Sequence, residues 1–342
     1  MSDLIVRIEG RAGCITLNKP ETLNALDHDM ARAIDEALSA WVHDDAISLV
    51  VIDAVPGKAF CAGGDIQAIY HQGKAGDFGP VRDFWRFEYL LNIKIAHYPK
   101  PYVALIDGID MGGGVGISCH GSHRIVGDHA LIAMPECSIG LIPDVGVSKI
   151  LADAGALGRY LALTGTRIKA ADAIEAGFAD DYVPSDQFSS LRQALTASGS
   201  VDVISDFAQK PGLSGFAQVS QQIATFFADG DPPAIAASLA KDGSDWAQQA
   251  LTALNRASPL SAFCTLAVID AVAANPSLET AVRSEFRFTY RSVEDGELLE
   301  GIRAAVIDKD RSPRWRHATF ADVRASEVAH MVGSLGDAEL KT

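Results

Sequence analysis

Apolar positions alternate along Leu4-Val6-Ile8 and resume in Cys14-Ile15-Thr16-Leu17 beyond Gly10 and Gly13, which predicts a β-hairpin. From Asp27 to Trp41 the spacing lengthens, and Met30, Ile34, Leu38 and Trp41 form one stripe of a helix. Ser48-Leu49-Val50-Val51-Ile52 reads as a short buried strand. The chain therefore opens β-β-α-β. A break rich in small residues follows, Pro56 to Ile66, in which Gly63-Gly64-Asp65 suits a tight turn into a helix. Gly73–Pro80 reads as a loop, and Asp83–His97 as a helix dense in aromatic and aliphatic residues, with Glu88 among them.

A second buried strand, Tyr102–Ile106, stands behind Pro99 and Pro101 and leads to the glycines Gly112, Gly113 and Gly114. These open a helix of small residues, Val115–His120. Arg124–Val126 and Ala130–Met134 are two further short strands; Pro135-Glu136 and a Gly/Pro loop, Gly140–Gly146, follow them. Helices over Leu157–Leu163 and Ala170–Ala176 end at Gly165 and Gly177. Strands and helices thus alternate through about residue 184. From Ser185 the pattern is helical, over Val219–Phe227, Ala234–Leu239, Asp245–Asn255, Leu260–Ala274, Leu278–Tyr290 and Glu297–Ile307. The expected organisation is an α/β core over 1–184 and a helical region over 185–342, with no repeat of fixed period.

Composition narrows the function. A formal charge of −15 over 342 residues argues against nucleic acid, whose phosphates require clustered Lys and Arg. No apolar run reaches the roughly 18 residues of a membrane span, and the start alternates like a strand and does not read as a signal peptide. Five cysteines, odd in number and without a C-x-x-C pair, read as reduced thiols. The expectation is a cytoplasmic protein in solution.

Glycines after a strand first suggest a dinucleotide fold, but Gly112-Gly113-Gly114-Val115-Gly116 does not give G-x-G-x-x-G. Backbone N–H groups at such a turn can instead hold a developing oxyanion. Gly116-Ile117-Ser118-Cys119-His120 lacks the last glycine of a nucleophile elbow, so Ser118 reads as packing. Cys119, His120 and His123 stand too close together for the usual metal spacings. Glu136 and Asp144, each behind a proline in or beside a loop, are candidate acid–base groups, although loop carboxylates are most often surface residues. Glu88 by the same reasoning is a partly buried acid with a backbone or arginine partner.

Taken together, Leu17-Asn18-Lys19-Pro20, Leu23-Asn24-Ala25-Leu26, Lys58–Ile66, Gly108–Gly116, Met134-Pro135-Glu136 and Leu163-Thr164-Gly165 resemble the crotonase (enoyl-CoA hydratase/isomerase) superfamily. Phe60–Ile66, Glu88–Asn92, Lys100–Ile106, Met111–Gly116, Met134–Gly146 and Glu300–Pro313 resemble most its 3-hydroxyisobutyryl-CoA hydrolase branch. The resemblance implies a spiral of repeated ββα units with C-terminal helices over the site, and a coenzyme A thioester as substrate with no further cofactor and no metal. It places the oxyanion donors at the N–H groups of Gly64 and Gly113, and the catalytic acids at Glu136 and Asp144. Glu88 would contact the acyl group, while Lys58, Ala62, Asp65 and Ile66 would border the coenzyme. Glu136 would act as nucleophile or as general base; both routes stay open. Hydratases carry a glutamate three residues after the oxyanion glycine, where this chain has Gly116. That departure favours hydrolysis. Association through the C-terminal helices into a homo-oligomer is a further implication.

Overall fold

The computed structural model describes residues 2–342. Its opening elements are β1 (Leu4–Glu9), β2 (Ala12–Leu17), α1 (His28–Trp41), β3 (Leu49–Ala54), β4 (Ala59–Cys61), α2 (Ile66–Lys74) and α3 (Gly79–Ala96). Next come β5 (Tyr102–Ile106), β6 (Ile109–Met111), α4 (Gly113–Ser118), β7 (His123–Val126), β8 (Leu131–Ala133), α5 (Val147–Asp153), α6 (Ala156–Thr164), α7 (Ala170–Glu175) and β9 (Asp181–Tyr182). The described elements after β9 are helical: α8 (Phe188–Ser198), α9 (Ser220–Phe227), α10 (Pro232–Asp242), α11 (Asp245–Leu254), α12 (Pro259–Ala274), α13 (Leu278–Ser292), α14 (Leu298–Ile302) and α15 (Ala325–Val332). These elements form two compact units, one of residues up to 64, 90–132 and 167–217, the other of 65–89, 133–166 and 218–342.

The first unit carries a six-stranded sheet in the order β1-β2-β3-β5-β7-β9 and a three-stranded sheet in the order β4-β6-β8. β1 and β2 form the expected antiparallel hairpin, and the other pairs in the large sheet are parallel. Successive strands β3/β4, β5/β6 and β7/β8 go alternately to the large and the small sheet, so each circuit lays one strand beside its predecessor in both. This is the ββα spiral. Parallel strands are covered on both faces, which explains why Tyr102–Ile106 is buried throughout. One face of the large sheet, including Cys14, Val51, Val103 and Ile125, packs under Leu191 and Leu195 of α8. On β2 a Cβ at Gly13 would fall 2.3 Å from the Trp41 ring, so glycine there lets α1 lie flat on the strand.

The second unit is helical around α12, which is enclosed and mostly apolar from Pro259 to Ile269, its last turn from Asp270 being largely exposed. Helices α12 and α13 start on side-chain caps that the sequence displays: Ser258 accepts from Ser261 N–H, and Ser277 from Thr280 N–H. Three expectations are corrected. The break at Pro56–Ile66 contains the short strand β4, another short strand β6 follows Gly108, and the helix expected over Glu297–Ile307 is α14 continued by a π turn at Arg303–Ile307.

Candidate active site

In the first unit the two glycine turns are brought together by strand pairing. β4 and β6 run parallel, with Ala59 opposite Ile109 and Cys61 opposite Asp110, so their C-terminal ends emerge side by side. One continues into Gly63-Gly64, the other into Gly112-Gly113. A Cβ on Gly114 would fall 2.5 Å from the Cys61 carbonyl and 2.3 Å from Asp110 Oδ1, so no larger residue fits between the turns. Gly112 has φ +50 and ψ −120 and caps α4, which makes Gly113 the first helical residue. An N–H at that position has no acceptor within the helix. The first backbone bond of the helix is Gly116 N–H to Gly112, 3.2 Å.

The loop resembling the family at Asn18–Leu26 braces this arrangement. Leu23 and Asn24 both have φ +56, and the buried Asn24 amide donates to the carbonyls of Ala59 (3.0 Å) and Phe60 (2.9 Å). Ala62 N–H donates to Leu23, and Leu26 N–H to Gly63. The Ala62 N–H is thereby occupied. Lys58 is exposed, and its carbonyl accepts from Ile109 N–H. Ser118 donates 2.6 Å to Asp110, deep beneath the glycine helix, which accords with its reading as packing. Burial lifts Asp110 to about 7 against this hydrogen bond. Asn92, fully enclosed on α3, has no hydrogen-bond partner on either amide atom.

In the second unit the three predicted acids share one electrostatic neighbourhood. Glu88, Glu136 and Asp144 are 2, 6 and 5 % exposed. Glu136 is the first residue of a 3-10 turn, Glu136–Ile139, which Gly140 closes at φ +75. A Cβ on Gly140 would fall 2.7 Å from the Glu297 carbonyl, so the turn sits directly on the start of α14. Asp144 opens a turn in which Val147 N–H returns to its carbonyl at 3.0 Å, with φ +54 at Val145 and +81 at Gly146. A β-branched residue in the left-handed region costs on the order of 1–2 kcal/mol, so surrounding contacts must hold it there.

Those contacts involve two residues that the sequence reading passed over. Tyr89 Oη donates to Asp144 Oδ2 at 2.6 Å. Glu285, fully buried on α13, accepts from Gly146 N–H (2.6 Å), Ser148 N–H (2.9 Å) and Ser148 Oγ (2.5 Å). It thereby caps α5, whose own N-cap is a glycine without a side chain. Its neighbour Phe286 meets the Tyr89 ring edge-on at 6.2 Å.

Electrostatics separate the acids. Burial is the main cause at each, and it raises Asp144 to about 6, against the Tyr89 hydrogen bond that favours its charge. Glu136 is driven well above the carboxylate range, by burial and then by the charge of Asp144; Glu88 is raised by the same two causes. Burial raises Glu285 to about 8. Glu136 Oε2 and Glu88 Oε1 have no hydrogen-bond partner. At Glu88, where a satisfied acid was expected, one enclosed oxygen is left without a partner. Asp144 therefore ionises first and holds the proton on Glu136, two carboxyls titrating as one system. Among the described residues no group of three or more His, Cys, Asp or Glu side chains could hold a metal ion.

Asp65 caps α2 through Gln67 and Ala68 N–H, and Ile66 is the first residue of that helix. A separate cavity of about 320 Å³ in this unit is lined by Tyr70, Lys74, Glu297, Glu300, Arg303 and Arg314 and includes none of the clustered acids. The candidate residues thus fall into two groups: Lys58, Ala62, Gly64 and Gly113 in the first unit, and Asp65, Ile66, Glu88, Glu136 and Asp144 in the second.

The family model described as Enoyl-CoA hydratase/isomerase matches residues 12–332. The chain is 40% identical to a "3-hydroxyisobutyryl-CoA hydrolase, mitochondrial" of Xenopus tropicalis, over 97% of this chain and 89% of that protein. The compartment in that name gives no support to the cytoplasmic placement expected from the sequence. A structure titled as an enoyl-CoA hydratase from Rhodobacter sphaeroides superposes with TM-score 0.94 at 45% identity, over 100% of both chains. Another, titled as a carnitinyl-CoA dehydratase from Mycobacterium thermoresistibile, gives 0.95 at 39%, over 100% of this chain and 99% of that one. With its two glycine turns, its buried acids and a match over nearly its whole length, the chain belongs to the enoyl-CoA hydratase/isomerase (crotonase) family.

Proposed function

We propose that this protein hydrolyses a short 3-hydroxyacyl-CoA thioester, 3-hydroxyisobutyryl-CoA in the first instance, releasing the hydroxy acid and coenzyme A in valine breakdown. The observation that carries the reading is the buried acid pair Glu136 and Asp144 in a chain that has glycine at 116. A thioester carbonyl is electrophilic already; hydrolysis needs its oxygen polarised, a nucleophile positioned and a proton moved. In this reading the N–H groups of Gly64 and Gly113 receive the charge growing on the carbonyl oxygen, each worth about 3 kcal/mol of transition-state stabilisation. Glu136 attacks the acyl carbon, breaking the C–S bond and expelling the coenzyme A thiolate to leave a mixed anhydride that water then cleaves, or it takes the proton from a water that attacks the acyl carbon and displaces the thiolate directly. Either role needs its carboxylate, so the proton that rests on Glu136 passes first to Asp144, which relays it to the departing thiolate; the water consumed in hydrolysis restores it to the pair. The unpartnered Glu88 oxygen accepts from the substrate 3-hydroxyl, and an acyl group without that hydroxyl leaves it unmet. Lys58 and the backbone from Ala62 to Ile66 border the coenzyme.

The titles of the two superposed structures favour a second reading, hydration of an enoyl-CoA. It is opposed by Gly116, which leaves the two-glutamate machinery for adding water to a double bond without one member. Release of free thiol from 3-hydroxyisobutyryl-CoA, followed with a thiol reagent, separates the readings. The expected result is steady release by the wild type and its loss in Glu136→Gln with coenzyme ester binding retained. Absorbance change on crotonyl-CoA without thiol release establishes the hydratase instead, and binding with neither reaction establishes an acyl-CoA-binding protein.

A further inference from the structure

Asp144 sits on a strained turn whose own hydrogen bond is that of Val147 N–H to the Asp144 carbonyl, 3.0 Å. Val145 and Gly146 are consecutive left-handed residues, and the helix that follows begins without a cap of its own. Two consecutive residues of α13 add further contacts to this turn and to the partner of Asp144. Glu285 takes the N–H groups of Gly146 and Ser148 and the Ser148 hydroxyl, 2.5–2.9 Å, all buried. Phe286 packs edge-on against Tyr89, whose hydroxyl holds Asp144 Oδ2 at 2.6 Å. We infer that Glu285 is a positioning residue for catalysis, clamping the Val145–Gly146 turn so that the Asp144 carboxylate stays on Tyr89 and in register with Glu136. This rests on the hydrolase reading above, in which Asp144 is the second acid.

A group that acts through another has no effect once that other group is gone. Glu285→Gln keeps the volume but puts an amide NH2, which cannot accept, in place of one of the two oxygens reached by Gly146 N–H and Ser148 N–H, and misplacement of a reacting group by about 1 Å costs roughly 100-fold. The expected result is a fall of about 10- to 100-fold in kcat for thiol release from 3-hydroxyisobutyryl-CoA, with KM within about twofold. In an Asp144→Asn background the same change is expected to cost nothing further. Ser148→Ala, which removes only the hydroxyl donor, is expected to lose less and to show the same non-additivity; it carries the test if Glu285→Gln does not fold. Losses that multiply with Asp144→Asn, or a change confined to KM, overturn the inference while leaving the hydrolase reading intact. Hydrogen exchange separates the converse case: amides over residues 144–148 are expected to exchange faster in Glu285→Gln, or in Ser148→Ala, whatever the substrate. Unchanged exchange there refutes the clamp even if 3-hydroxyisobutyryl-CoA proves not to be the substrate.

Discussion

At the scale of single residues, the acids differ by what surrounds them. Asp144 has a phenol donating to it and is raised only to about 6, whereas Glu136 has an unpartnered oxygen and a charged neighbour and is raised further. If the reaction needs one ionised carboxyl in this pair, kcat/KM should fall below an apparent pKa near 6. Asp144→Asn removes the charge that holds the proton on Glu136, so the ionisation of Glu136 should move down in that variant. A flat pH–rate profile between pH 5 and 8 would contradict the assignment. Glu88, Glu136 and Asp144 were legible in the sequence because proline, glycine and the family's motifs frame them. Glu285 was not, because Arg283, Ser284 and Arg287 surround it in a stretch that reads as a solvated helix face. Its donors lie 139 and 137 residues away. Tyr89 was hidden for another reason: it stands in the Glu88–Asn92 motif, but among so many aromatic residues on α3 nothing local shows that its hydroxyl is used.

At the scale of elements, most of the long helices and the continuous apolar strands followed from local pattern, since the spacing of their own apolar residues marks them; α8, over the large sheet, was not among the helices expected. Strands β4 and β6 did not. Each is three residues long, and β6 has a buried aspartate at its centre, so only pairing with the other makes either a strand. Helix α5 was missed because its cap comes from Glu285 on another helix, not from a residue before it. The turns that follow β4 and β6 give two predictions. Gly114→Ala would drive a methyl group to 2.3 Å from Asp110 and 2.5 Å from the Cys61 carbonyl. Overpacking of this kind costs about 1–3 kcal/mol, and the displaced Gly113 N–H should cost at least 100-fold in thiol release, about what loss of an oxyanion donor does. Gly57→Ala, whose nearest contact would be 3.6 Å, is the control and should change neither. Asn24→Ala deletes two buried hydrogen bonds to the β4 carbonyls and should destabilise by about 1–3 kcal/mol, read as a lower urea midpoint at unchanged slope.

At the scale of the whole molecule, a chain of formal charge −15 encloses several of its acids where their charge is disfavoured. Folding therefore keeps protons that the unfolded chain would release. Glu285 titrates near 8 when folded, against an ordinary value of 4.5, and Glu88 and Glu136 are also raised well above 4.5. For a raised carboxyl the stabilising contribution is complete below the unfolded pKa and is lost as pH rises through the folded one. Asp144 thus loses its contribution between about 4 and 6, and Glu285 between about 4.5 and 8. Paired surface acids such as Glu300 and Glu9 are lowered and act in the opposite sense, but only at acid pH, below their unfolded values. Between pH 6 and 8 the buried acids dominate, and each proton retained by the folded state contributes a slope of about −1.4 kcal/mol per pH unit. Urea midpoints should accordingly fall from pH 6 to pH 8, and Glu285→Gln, which has no proton to lose, should fall less steeply. Because these charges are enclosed, added salt should leave that difference in slope nearly unchanged. Equal slopes in wild type and variant would mean that Glu285 is ionised throughout this range, held so by its three donors against the cost of burial.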